Sequence, residues 1–569
     1  MRQTTYAEFI DELHHTMRRY EKRVHSRGGT KRKAWWDQQV IKSWMNAWAE
    51  KSGTLTELQN GFRQKRRVED NLFVLMQCIE IARKESRGLL ACFLDVAKAY
   101  DSVPHNLLLS RMDDLGMPPV WIDLLRRLYT GNTIENPLWG DARPTSGASL
   151  EHALLNLDVG FTLNFSFDST PTTWTIPGLV FADDLVLLAE NEAQLQQLVE
   201  TSAKHLGTLG LAFNSRKSAV VQFSGDRENP TMVLPDGERL PAAEEYRYLG
   251  VVLSASDGVN AEHEAHLRQS AQRASRILRR QCLWGCSRYL MVRELWKSVH
   301  VPGLTFANST ICLTAPTRDW LERGQREVGR LALGCHGRVA VEAIQGDVGW
   351  SSFEAREAKS KIAFECRLRN MDDGRWARRV FRYVYLKGIQ TQWRARVQFL
   401  RRKYGLLNYS ETGGARCETA KGVQDHVRET ERELWKSAMA SKTTLRLYCE
   451  NKGTITPEPI YDNSGGSALL FEARAGALRT LDYRSRFNCA PEVQAAVCRV
   501  CGSERETAEH LVLKCTKSPT PKEGTTMPQA LGFLDAEGGR CFEGVATTKA
   551  RLERWWRAVK QSRTVPGVT

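Results

Sequence analysis

The sequence predicts an α+β protein with its sheet in the first half and a mostly helical second half. Three observations predict this. Between about 55 and 255, short apolar runs alternate with amphipathic stretches of helical period. From about 256 to 485, strand signals are few. A cysteine–histidine cluster at 498–515 marks a small module near the C-terminus. At 569 residues the chain suggests roughly three to five domains, or fewer with long helical connectors.

The elements follow in order. Val68, Leu72, Leu75 and Ile79 recur at helical spacing after the charged Arg66-Arg67. Leu89 to Val96 is an apolar run suited to a buried strand. Pro104 opens a helix that stops at Gly116, and Pro118 opens another that ends near Gly131. Gly178 to Ala189 holds two apolar runs split by Asp183-Asp184, the pattern of a tight β-hairpin with acids at its turn. Leu195, Leu198, Val199 and Leu206 mark an amphipathic helix that stops at Gly207 or Gly210. Ala219 to Phe223 and Tyr248 to Leu253 read as further strands. There is no clear internal repeat.

Composition excludes several classes. Hydrophobic residues at 42% and charged residues at 26% rule out a wholly disordered or fibrous chain. No run of 18 apolar residues predicts a membrane span, and Met1–Ile10 lacks an apolar signal core. Fourteen cysteines are too dilute for a secreted disulfide scaffold. An intracellular setting, nucleus or cytoplasm, is expected. The net charge of +15 favours an acidic partner, nucleic acid before a membrane surface. The excess is local: residues 265–405 hold 28 Lys+Arg against 11 Asp+Glu, which accounts for all of it. Arg276, Arg279 and Arg280 share helical spacing and form either a basic stripe or a solvated face.

Asp95 ends one apolar strand, and Asp183 and Asp184 interrupt another apolar stretch. Burying carboxylates in such surroundings is costly unless a cation compensates them. Adjacent aspartates also repel. Two divalent metals about 4 Å apart relieve both problems, and such a pair activates a 3′-hydroxyl and stabilises a leaving pyrophosphate. Mg²⁺ prefers oxygen ligands and shares them with phosphates. By itself, an Asp-Asp pair is a weak signal that more often marks an exposed hairpin turn.

Phe181-Ala182-Asp183-Asp184 resembles the aromatic-X-Asp-Asp box of reverse transcriptases. Phe93 to Val103 looks like the first catalytic box of non-LTR (LINE-type) retrotransposon polymerases. Gln59-Asn60-Gly61-Phe62-Arg63, with Arg66-Arg67 and Asp70-Asn71-Leu72, matches the box upstream of it. Asn214, Lys217 and Ser218 resemble the box after the hairpin, and Tyr248-Leu249-Gly250 the last palm box. Ala343-Ile344-Gln345-Gly346 with Gly349-Trp350 resembles the thumb and connector of these elements. The resemblance covers roughly residues 35–520.

The resemblance implies a right-hand polymerase palm with partial fingers, a helical thumb and connector, and a small zinc knuckle. It implies an RNA-directed DNA polymerase that takes dNTP, an RNA template and a DNA primer, with two Mg²⁺ at the palm. Asp95, Asp183 and Asp184 are the implied metal ligands, and the Val96 carbonyl is an added one. Tyr100 is the implied screen against a 2′-hydroxyl, Gly147 a nucleotide-binding glycine, and Lys217 an aid to the leaving group. Arg63, Arg66 and Arg67, and beyond the palm Arg273, Arg276 and Arg280, are expected to contact nucleic acid.

Two departures stand out. No sizeable fingers segment precedes Gln59. The dNTP-positioning box reads Pro144-Thr145-Ser146-Gly147-Ala148-Ser149-Leu150-Glu151, in which only Gly147 and Leu150 agree well with the family. Both predict a weakened nucleotide grip, as in a truncated or internally deleted copy. The competing reading is a catalytically inactive nucleic-acid-binding remnant.

Cys498-X2-Cys501-X8-His510-X4-Cys515 has the spacing of a zinc site. Three thiolates and one imidazole close a tetrahedron around one structural Zn²⁺. So short a segment is expected to need its metal to fold. The resulting segmentation is a basic Trp-containing stretch 1–54, fingers remnant and palm 55–255, thumb-like region 256–345, connector 346–485, CCHC knuckle 486–520 and tail 521–569.

Overall fold

A computed structural model describes Trp48 and residues 56–61, 63, 65–97, 105–129, 150–167, 170–225, 230–256, 258–280, 287–406, 419–486, 496–535 and 537–564. It is a mixed helix and sheet protein that divides into two compact units, one formed by residues up to Val259 plus Met371–Thr391, the other by the rest. Tyr100 and Gly147 lie outside the described residues, as do Cys282 and Cys286.

The first unit contains helix α1 (Val68–Lys84), strand β1 (Leu89–Asp95), α2 (His105–Asp114), α3 (Pro119–Tyr129) and α4 (Leu150–Asn156). Strands β2 (Phe161–Phe167), β3 (Thr170–Ile176), β4 (Gly178–Phe181) and β5 (Asp184–Ala189) follow, then α5 (Glu192–Thr208). The last strands are β6 (Ala219–Ser224), β7 (Met232–Val233), β8 (Arg239–Leu240), β9 (Glu245–Tyr248) and β10 (Val251–Ser254). The central sheet runs β4-β5-β1-β6, antiparallel throughout. Six of the seven β1 residues are buried, and only Asp95 is partly open. Such an unbroken apolar run fits a buried strand, and both α1 and α5 pack against β1.

Two differences from the sequence reading have local causes. Tyr248 to Leu253 is not one strand. Leu249 and Gly250 both take positive φ (47° and 85°) and form the two-residue turn between β9 and β10. The β2–β3 hairpin was not anticipated, although Phe161, Leu163 and Phe165 alternate with polar residues and are buried.

The segmentation also differs at 371–391. The helix Trp376–Leu386 joins the first unit, although the sequence suggests one connector over 346–485. Its partners explain why. Arg375 pairs with the buried Asp70 at 2.7 Å, Tyr383 donates to Glu85 Oε1 at 2.9 Å, and Arg379 lies over the Trp174 ring.

The second unit is helical. One hydrophobic core joins residues of Ala261–Leu278, Ala315–Leu333, Val341–Val348, Gly465–Arg474 and Phe542–Thr564. A smaller core joins Phe353–Arg369, Gln392–Lys403 and Ala420–Ala440. The Ala343-to-Gly346 box serves packing: a Cβ on Gly346 would stand 2.3 Å from the Tyr448 hydroxyl. No described helix is long and apolar enough to cross a membrane.

Candidate active site and candidate metal centre

The carboxylates meet because of register. Asp95 closes β1 directly opposite Asp184, which opens β5, and Asp183 occupies the two-residue turn between β4 and β5. Directly opposed antiparallel residues have Cα atoms about 4.5–5.5 Å apart. Burial raises the Asp184 pKa, and the charges of Asp183 and Asp95 raise it further. The Lys217 ammonium lies 3.7 Å from Asp95 Oδ2 and is itself largely exposed.

The segment around Asn214 holds the end of β1. Asn214 N–H donates to the Asp95 carbonyl (2.8 Å), and Asp95 N–H donates to Ser218 Oγ (3.1 Å). Ser218 Oγ donates back to the Asn214 carbonyl (2.8 Å), and Val96 bridges Phe213. Asn214 and Ser218 thus sit against Asp95 through backbone and hydroxyl contacts, and Lys217 through its ammonium.

Sequence reasoning missed Tyr246. Its ring stacks on Phe93 at 4.3 Å, and its hydroxyl donates to the Lys217 carbonyl. Burial, with Asp95 and Asp184 nearby, pushes its phenol up to about 12. Its place two residues before Tyr248 was the available signal. Asn71, fully buried, joins three sequence boxes. Its amide donates to the Val180 carbonyl (3.1 Å) and the Tyr248 hydroxyl (3.3 Å), and its oxygen accepts from Asn60.

The arginines separate by environment. Arg63 is buried and donates to the carbonyls of Thr56 (2.5 Å) and Gln59 (3.0 Å). Arg66 grips both oxygens of Glu57 at 2.5 and 2.8 Å. Both guanidiniums are committed to internal acceptors in this structure. Arg67 is exposed, as are Arg273, Arg276 and Arg280 near the C-terminal end of the helix Ala261–Leu278. Other charges of the basic segment are paired internally, Arg396 with Glu357 and Arg401 with Glu365. The net charge therefore overstates the surface available to a polyanion.

In the second unit, ligand atoms of Cys498, Cys501, His510 and Cys515 all lie within 4.8 Å of one another. Among the described residues no other group of three or more Cys, His or acidic side chains is drawn together so closely. Asp95, Asp183 and Asp184 are spread wider. A tight turn supplies two cysteines: Cys498 N–H donates to the Glu504 carbonyl (2.7 Å), and Gly502 N–H to the Cys498 carbonyl (2.8 Å). Burial pushes the Cys498 thiol up to about 12. For Cys501 the same tendency is outweighed by hydrogen bonds from the Ser503 hydroxyl and from backbone N–H groups of Glu504 and Ser503. They hold it at about 5. His510 turns Nε2 toward Cys501 Sγ (3.3 Å) and Nδ1 toward Glu504 Oε2 (2.7 Å). Three thiols and a ring nitrogen are a donor set that suits Zn²⁺.

The knuckle has more support than its length suggests. Cys498, Leu511, Val512 and Cys515 share a core with Leu552, Trp555 and Val559 of the helix Phe542–Thr564. Arg551 on that helix is buried and donates to the carbonyls of Leu511 (2.9 Å) and Cys515 (3.2 Å). The chain beyond 521, without a role in the sequence reading, thus covers the cysteine–histidine module.

A protein-family model described as reverse transcriptase (RNA-dependent DNA polymerase) matches residues 36–253. The chain carries a reverse transcriptase domain. It is 25% identical to the Pol polyprotein of the retrotransposable element R2DM of Drosophila melanogaster, over 38% of this chain and 22% of that protein. It is 28% identical to the R2 polyprotein of Nasonia vitripennis, over 36% of this chain and 22% of that protein. It is 25% identical to the RNA-directed DNA polymerase from the mobile element jockey of Drosophila funebris, over 46% of this chain and 30% of that protein. These relatives are polyproteins and a polymerase of non-LTR retrotransposable elements, and the chain is similar to them over less than half of its length. It spans between 22% and 30% of the length of these curated relatives.

Proposed function

We propose that this chain is an RNA-directed DNA polymerase that extends a DNA primer on an RNA template with dNTPs. The observation that carries this reading is the register of Asp95 against Asp184, with Asp183 in the adjoining turn, inside the matched domain. An all-oxygen set with mutual repulsion suits hard divalent cations. Asp95, Asp183 and Asp184 hold two Mg²⁺, with the Val96 carbonyl as an added ligand. When bound, the ions supply Lewis-acid activation of a primer 3′-hydroxyl and charge stabilisation for departing pyrophosphate. Lys217 stays close to the cluster by its contact with Asp95 and assists the leaving group. In this reading residues 55–255 are palm with partial fingers and 256–345 a thumb. The exposed Arg67, Arg273, Arg276 and Arg280 meet nucleic-acid phosphates. Tyr100 and Gly147 belong to the nucleotide site by resemblance.

The test is primer extension on poly(rA)/oligo(dT) with Mg²⁺. Extension by the wild type and none by Asp183→Asn supports the polymerase. Binding of primer–template without extension by either protein turns the reading to an inactive nucleic-acid-binding remnant, which the divergent Pro144–Glu151 box favours.

For the knuckle we propose one structural Zn²⁺ held by Cys498, Cys501, His510 and Cys515. Glu504 fixes the His510 tautomer by accepting from Nδ1–H, which leaves Nε2 for the metal. Glu504→Gln is expected to weaken zinc binding about 10–100-fold in competition with a chelating dye. Unchanged affinity would show that the carboxylate does not orient the ring.

A further inference from the structure

We propose that Gln59 is a positioning residue for the Asp183-Asp184 turn, its carboxamide clamping both polar groups of Ala182. The proposal rests on reading Asp95, Asp183 and Asp184 as a divalent-metal site.

The argument begins at the sheet edge. β4 is the outer strand of the central sheet. Leu58 to Asn60 lie along it: Val180 N–H donates to the Leu58 carbonyl (3.0 Å) and Asn60 N–H to the Val180 carbonyl (2.9 Å). The bridge between Gln59 and Val180 is parallel. This places Gln59 beside the turn that leaves β4.

At that turn, Ala182 takes φ +57°, a left-handed conformation that residues with a Cβ adopt reluctantly. Gln59 answers both ends of the residue. Ala182 N–H donates to Gln59 Oε1 at 2.9 Å, and Gln59 Nε2 donates to the Ala182 carbonyl at 3.2 Å. Gly61 N–H also donates to Oε1, at 2.6 Å, which orients the carboxamide. A Cβ on Gly61 would lie 2.2 Å from the Ala182 nitrogen, so this approach requires glycine. The Gln59-X-Gly61 spacing is therefore the spacing of a backbone clamp.

The next two residues carry two of the three carboxylates. Their side chains leave a backbone whose direction is set at Ala182. Like charges press the turn to open, and a two-residue loop has no other length of chain to absorb that pressure. A carboxamide that holds both Ala182 groups keeps the aspartates aimed at one point.

Gln59→Met keeps the side-chain length and removes the hydrogen bonds. Two measurements without nucleotide chemistry come first: amide hydrogen exchange at Ala182, and Mn²⁺ binding followed by loss of the free-ion paramagnetic signal. In the variant, Ala182 exchange is expected to accelerate and the Mn²⁺ dissociation constant to rise about tenfold. In primer extension, kcat is expected to fall at fixed Mg²⁺ while KM for primer–template is unchanged, a split that general loosening of the domain does not give. Wild-type exchange and wild-type Mn²⁺ affinity in Gln59→Met would overturn the clamp. Asp183→Asn separates the two levels. If it binds Mn²⁺ as the wild type does, the metal site itself is misread and the proposal falls with it, even where Ala182 exchange has changed. Should Gln59→Met not fold, Gln59→Glu is read by the same criteria. It keeps the acceptor and loses the donor, and its added charge by itself favours cations, so weaker Mn²⁺ binding supports the clamp.

Discussion

Asp184→Asn is expected to cut Mg²⁺-dependent primer extension by about 1,000-fold or more while making the metal-free protein more stable at neutral pH. A 1,000-fold loss corresponds to about 4 kcal/mol of transition-state stabilisation, the scale expected when a shared metal ligand is removed. The opposite sign for stability follows from the same cluster. Asp184 is half-buried, and Asp183 and Asp95 raise its pKa further. A carboxylate whose folded pKa is raised is favoured in its protonated form by the fold. That contribution is present below the unfolded pKa and is lost as pH rises through the folded one, so at neutral pH ionisation costs stability. Asparagine removes the charge and with it the cost. Thermal unfolding in chelator should show the variant a few degrees above the wild type at pH 7, converging as the pH falls toward about 4, the ordinary carboxylate range. Added Mg²⁺ should raise the wild type and leave the variant largely unmoved. A metal-free variant less stable than wild type at pH 7 would show that repulsion does not govern this cluster.

Arg474→Met is expected to destabilise the second unit by about 3–5 kcal/mol. Arg474 and Asp347 are both fully buried, with Nε 3.1 Å from Oδ2. Tyr448 donates to the Asp347 carboxylate at 2.6 Å, and Tyr461 donates to its other oxygen. The guanidinium also donates to the Leu531 carbonyl (2.7 Å), pairs with Glu458 (3.3 Å) and stacks over Phe533 at 4.0 Å. Burial alone raises the Asp347 pKa, but Arg474, Lys452 and the two tyrosine hydroxyls outweigh it and hold the carboxyl below its usual range. Removing only the cation leaves the buried Asp347 carboxylate without its main counter-charge, which is the costly case. Asp347→Leu in the same chain should recover part of the loss, because neither charge is then stranded. Urea unfolding measures both. A single-variant loss under about 1 kcal/mol would mean that water or a shifted side chain replaces the guanidinium.

Much of the site was legible because its signals are local. An apolar run that ends in Asp95, and another broken at Asp183-Asp184, each report burial against charge within a dozen residues. The four candidate zinc ligands at 498–515 likewise declare themselves by spacing. The β2–β3 hairpin was legible too, in the alternation of Phe161, Leu163 and Phe165, and was overlooked. Other features had no local trace. Gln59 and Ala182 are 123 residues apart, Asp347 and Arg474 are 127 apart, and Arg375 reaches back 305 residues to Asp70.

The sequence by itself determined the resemblance to reverse transcriptases, the three carboxylates, the cysteine–histidine spacing and the location of the positive charge. Those depend on residue type and on short-range period, which the chain displays without folding. Only the tertiary structure decided which charges are spent inside the protein. Arg63, Arg66, Arg375 and Arg396 count toward +15 but serve internal acceptors. It also decided that 371–391 returns to the first unit and that the helix Phe542–Thr564 covers the knuckle. A guanidinium looks the same in sequence whether it faces solvent or a buried carboxylate. The difference is set by the long-range pairing that desolvates it.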